Sequence, residues 1–140
     1  MTILYIDRPS LQTQIRIQNL EDRDSHTVEI AETLGDVHIM YKKDKYDLVL
    51  IDHAIENGLK CIEHINSIDP MQKTLTVSNA IACIYSRCDD CTQNHNARRL
   101  NNPTTMKNIL RMVDGFELYE CDHYDPATNG FDNNQNPKHR

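Results

Sequence analysis

Four consecutive aliphatic residues, Leu48-Val49-Leu50-Ile51, stand between Asp47 and Asp52. A half-exposed strand would alternate apolar and polar positions. An unbroken run of this length reads instead as a strand buried on both faces, central in a parallel sheet and ending at Asp52.

The rest of the chain supplies the partners such a strand needs. Thr2 to Ile6 is a second continuous apolar run, stopped at Asp7-Arg8-Pro9-Ser10, and Pro9 and Ser10 open a helix carrying Leu11, Ile15, Ile17 and Leu20. His26 to Ile30 reads as a strand. Thr33 to Lys45 holds Leu34, Val37, Met40 and Tyr41 at helical spacing, and Gly58 to Ile68 holds Leu59, Ile62, Ile65 and Ile68 before Asp69-Pro70 closes it. Lys73 to Val77 is the fourth strand, followed by Ser78-Asn79. From Ala80 the stripe Ile81, Ile84, Tyr85 and Cys88 predicts a helix that gives way to the polar run Asp89 to Asn96. Arg98 to Asn101 is the fifth strand by position, although only Leu100 is strongly apolar. Met106, Ile109, Leu110 and Val113 mark the last helix, with Thr104 or Thr105 as N-cap and Gly115 as stop.

Strands alternating with helices predict an α/β chain, a single doubly wound parallel five-stranded sheet with helices on both faces. The 140 residues divide into one domain over 1–116 and a C-terminal extension over 117–140. The end of that extension is rich in Asn, Pro and Gly and is expected to be mobile.

Composition narrows the function. A formal net charge of -6 opposes a nucleic-acid surface, and the two dense basic spots, Lys42-Lys43 and Arg98-Arg99, read as solvated faces. No apolar run spans a bilayer and MTILYID lacks the features of a signal peptide, so a cytoplasmic location without membrane contact is expected. Only 4 glycines and no Gly-rich phosphate loop or nucleophile elbow argue against a small-molecule enzyme.

Ligands of such sheets bind beyond the carboxyl ends of the strands. The residues at those ends are Asp7-Arg8, Asp52-His53, Ser78-Asn79 and Asn102-Pro103. ILYIDRPS, YDLVLIDHAIENGL, TLTVSNA and RRLNNPTT together resemble, in order and placement, the conserved stretches of the receiver domain of bacterial response regulators, over Thr2 to Gly115. The resemblance implies a flavodoxin-like receiver fold, with Asp52 at the phosphoacceptor position and Ser78 at the switch position. It also implies a two-component phosphorelay setting, with a histidine kinase or a downstream effector as protein partner.

The same resemblance marks what has changed. Receivers use Mg²⁺ held by an acidic pair and the acceptor Asp, whereas here Asp7 is followed by Arg8 where the second acid belongs, so Asp7 and Asp52 are left as weak metal ligands. Arg8 either contacts Asp52 as a metal-free positive charge or faces solvent. Asn102 stands at the position of the phosphoryl-binding Lys, and the loop after Asp52 is shortened. A receiver acting through protein contacts, with phosphorylation at Asp52 impaired or lost, is therefore the first expectation. A working phosphoacceptor is the second, and Asp52 as a plain strand-end turn former is the ordinary structural alternative.

The 5 cysteines suggest a third. Cys88 and Cys91 form a CxxC pair on a polar loop, and with Cys121 and His123, or with His95 in place of one of these, they offer ligands for zinc in an adaptor. Cys61 and Cys83 read as small core residues. The last helix offers a face for a homodimer.

Overall fold

The run Leu48–Asp52 forms the central strand, β3, of a five-stranded all-parallel sheet in the computed structural model. The structure describes residues 1–22, 26–52, 57–78, 96–101 and 104–117 and the backbone of 124–125 and 130–131. The other strands are β1 (Thr2–Ile6), β2 (Thr27–Ala31), β4 (Thr74–Ser78) and β5 (Ala97–Asn101), in the spatial order β2-β1-β3-β4-β5. The described helices are α1 (Leu11–Glu21), α2 (Leu34–Met40), α3 (Gly58–Ile68) and α4 (Met106–Asp114). Two short strands, β6 (Tyr124–Asp125) and β7 (Gly130–Phe131), pair antiparallel within the C-terminal extension.

Strand alternation divides the core in two. Ile3 and Tyr5 of β1 and Leu48 and Leu50 of β3 pack with Leu20 of α1 and Ile109, Met112 and Val113 of α4. Leu4, Ile6, Val49 and Ile51 point to the other face, against Val37 of α2 and Cys61, Ile62 and Ile65 of α3. Helices on both faces explain why β3 has no polar interior position. Each fully buried Leu or Ile contributes roughly 1.5–3 kcal/mol.

Local chemistry sets the helix ends. Ser10, Thr33 and Thr105 are the N-caps of α1, α2 and α4, each accepting a hydrogen bond from the backbone N–H three residues on. Gly115 stops α4 as expected, its N–H donating to the Arg111 carbonyl. The second helix is shorter than its periodicity implied. It stops at Met40, and Tyr41, still buried, has extended backbone before a turn in which Asp44 takes a positive φ of 66°.

Three expectations about burial are corrected. In α1 the apolar residues Leu11 and Ile15 are 72% and 48% exposed, and the buried face is Thr13, Arg16 and Leu20. In α3 Leu59 and Ile68 are exposed, while Gly58 and Cys61 line the buried side with Ile62 and Ile65. Arg98 and Arg99 are not a solvated face but lie buried in β5. The Arg98 guanidinium sits 4.6 Å from the centroid of the Phe116 ring, and its Nη1 donates to the Ala97 carbonyl, which is how an arginine is accommodated there. Cys61 is fully buried, as expected of a core cysteine.

Candidate functional site

The site grows out of the pleat. Tyr5 faces the α1 side of the sheet, so Asp7, two residues on and just past the end of β1, continues in the same direction, and Leu50 relates to Asp52 in the same way on β3. Ile6 pairs with Ile51, which brings Asp7 and Asp52 side by side at the carboxyl edge. Both are buried, at 5% and 6% exposure.

Two buried carboxylates need a cation or a set of donors. Arg16 of α1 supplies both, because its position 3 residues after Thr13 and 4 before Leu20 turns it onto the sheet. Its Nη1 donates to Asp52 Oδ2 at 3.0 Å and to the Tyr5 hydroxyl at 3.0 Å, and it lies 3.8 Å from Asp7 Oδ2. Burial would by itself lower the Arg16 pKa, but the Tyr5 and Asp52 contacts together raise it, so the guanidinium stays charged. Burial pushes the Tyr5 hydroxyl above its ordinary range, keeping it protonated and able to donate to Asp7 Oδ2 at 2.7 Å.

Asp7 is further tied by its own helix start. Its Oδ1 accepts from the Arg8 backbone N–H at 2.7 Å, and its Oδ2 lies 3.1 Å from Thr13 Oγ1. Thr13 Oγ1 is also 2.5 Å from the Arg8 carbonyl and 2.9 Å from Ser10 Oγ. A carboxylate and a carbonyl only accept, so the single Thr13 proton is directed to them and Ser10 is the donor in the Ser10–Thr13 pair. Of the two alternatives for Arg8 the structure has the solvent-facing one: its side chain is exposed, and Arg16 takes the space beside Asp52. Apolar spacing misses Arg16, because it sets Leu11 and Ile15 toward the sheet. The available signal was the polar pair Thr13 and Arg16 sharing a stripe with Leu20.

Ser78 ends β4 one residue beyond the Asp52–Val77 pair and is 2% exposed. Its Oγ has no hydrogen-bond partner among the described residues. Asn102, Pro103, Cys83, Cys88, Cys91, His95, Cys121 and His123, and the helix expected from Ala80, lie outside the described residues. Among the described residues, no group of three or more His, Cys, Asp or Glu side chains is arranged for a metal ion. No described helix is long and apolar enough to cross a membrane.

A divalent cation does not fit this arrangement as it stands. Mg²⁺ needs oxygen ligands at about 2.0–2.1 Å in near-octahedral geometry. Here both oxygens of Asp7 and Oδ2 of Asp52 face protein donors, and the guanidinium lies across the gap between Asp7 and Asp52.

The strand order, the edge location of the acids and the helix layers are those of the flavodoxin-like fold, and solved structures of receiver domains share it. The chain is similar to the non-phosphorylated HemR receiver domain from Leptospira biflexa, with a TM-score of 0.66 at 21% identity, covering 81% of this chain and 90% of that one. A CheY-like response regulator receiver domain protein from Methanospirillum hungatei JF-1 gives 0.63 at 21% identity, with the same two coverages. A response regulator from Burkholderia pseudomallei bearing a phosphorylated aspartic acid and a calcium ion gives 0.59 at 20% identity, over 79% of this chain and 64% of that one. At such identities the likeness establishes the fold, and the fold is the flavodoxin-like receiver fold. Neither protein-family models nor curated proteins give a match.

Proposed function

We propose that residues 1–116 form an atypical receiver module of a two-component phosphorelay that acts through protein–protein contacts, with Mg²⁺-dependent phosphorylation of Asp52 impaired. The observation that carries this reading is the Arg16–Asp52 pair at 3.0 Å. A nucleophilic carboxylate must be free to attack phosphorus, and one held by a buried guanidinium gives up a charge-assisted hydrogen bond before it can do so. Asn in place of Lys at position 102 removes a second contact that the resemblance would supply. The partners that suit this fold are a histidine kinase or a downstream effector, and a second copy through α4 is a further partner of the same kind.

A second reading, a working phosphoacceptor, draws support from Ser78, whose buried hydroxyl, without a partner among the described residues, can donate to a phosphoryl oxygen. Incubating the chain with Mg²⁺ and acetyl phosphate and measuring intact mass separates the two. No Asp52-dependent gain of one phosphoryl group is expected, and a stoichiometric gain favours the second reading. The zinc adaptor built on Cys88, Cys91, Cys121 and His123 is tested by metal analysis of untagged protein before and after Cys88→Ser and Cys91→Ser.

A further inference from the structure

The acidic end of the sheet carries its own cation. Nη1 of Arg16 reaches one oxygen of Asp52 at 3.0 Å and one of Asp7 at 3.8 Å. An ion ligated by both carboxylates would have to enter the gap that this nitrogen already spans. Two positive groups in contact inside a buried, low-dielectric site repel strongly, so the gap holds one or the other. Tyr5 biases the choice. Its hydroxyl donates to Asp7 and accepts from Arg16, and Arg16, itself 5% exposed, is therefore fixed at the site by two hydrogen bonds and the backbone of α1.

We propose that Arg16 is the resident cation of the Asp7–Asp52 site and the residue that excludes a divalent metal from it, the guanidinium and a hard dication being mutually exclusive occupants. The inference rests on the reading of the chain as a receiver with impaired phosphorylation. It follows that withdrawing the charge of Arg16, with no other change, leaves two buried carboxylates whose remaining need is an oxygen-preferring dication such as Mn²⁺ or Mg²⁺.

Thermal unfolding of the full chain and of Arg16→Met, with and without about 10 mM Mn²⁺, tests this. The midpoint of the unsubstituted chain is expected to stay where it is. That of Arg16→Met is expected to fall and then to recover by about 5 °C with Mn²⁺, a recovery lost when Asp7→Asn is added. Equal responses of the two proteins, or none from Arg16→Met, overturn the proposal. Should Arg16→Met not fold, Arg16→Gln keeps a donor without the charge and is read in the same way. Independently of any variant, Mn²⁺ is expected to leave the amide resonances of Asp7 and Asp52 unbroadened in the unsubstituted chain, and selective broadening there overturns the proposal. Phosphorylation of Asp52 in the unsubstituted chain that persists when divalent ions are chelated, together with Mn²⁺ rescue of the variant, would remove the functional reading alone. Absence of both would remove this inference alone.

Discussion

Arg16 and Asp52, 36 positions apart in the chain, meet at 3.0 Å in the interior. The contact joins the first helix to the end of the central strand and leaves little solvent access to either side chain, at 6% and 8% exposure. Buried pairs of this kind are weak evidence for stability as pairs, yet breaking one strands a charge.

The two sides of the pair are therefore expected to differ on removal. Arg16→Met should cost roughly 3–5 kcal/mol, because two buried carboxylates lose their cation. Asp52→Asn should cost less, about 1–3 kcal/mol, since Arg16 keeps Tyr5 and lies near Asp7. Urea denaturation of both variants checks the order, and a larger loss for Asp52→Asn would contradict it.

Thr13 links the helix start to Asp7 and to the Arg8 carbonyl. Thr13→Val keeps the shape and removes the hydroxyl, leaving buried acceptors short of a donor, and should lower stability by about 1–3 kcal/mol. The exposed Gln14→Ala on the same helix should change it by less than about 0.5 kcal/mol, measured in the same denaturation series.

Alkali should destabilise the fold through its buried tyrosines. Burial, with Asp69 and Asp44 nearby, raises Tyr41 to about 12, and burial also raises Tyr5. The folded state thus holds these protons more tightly than the unfolded chain, where tyrosine titrates near 10. The stabilisation is full below about pH 10 and is lost as pH rises from there through the folded pKa. A denaturant midpoint falling between about pH 10 and 12, with a shallower fall in Tyr41→Phe, is the expected result.

Phe116 is the platform for Arg98, and Lys73 lies 5.8 Å from the same ring. A double-mutant cycle between Arg98→Met and Phe116→Leu should give a coupling of about 0.5–2 kcal/mol. A coupling near zero would show that Arg98 is held by its other contacts alone.

Much of the fold could be read directly from residue patterns. Leu48 to Ile51 demanded a strand covered on both faces, and the capping signals at Ser10, Thr105 and Gly115 located helix ends to within a residue or two. The positions of Asp7, Asp52 and Ser78 at strand ends followed from the same reading. What escaped it depended on tertiary contact. Arg16 is buried because two acids from other strands wait for it, and Arg98 because an aromatic ring from beyond α4 covers it. Neither partner is near in sequence, and hydrophobic periodicity assigns both arginines to solvent.

The guanidinium at Asp52 is attached to the chain, so it cannot be diluted, chelated or outcompeted in proportion to what the surroundings contain. A free ion occupies a site according to its concentration, whereas a tethered one is present at a local concentration that the backbone dictates. The charge balance at this edge of the sheet should accordingly be the same in a metal-starved medium as in a metal-rich one. Anything that docks there would meet a surface whose state is written into the polypeptide and is independent of mineral supply.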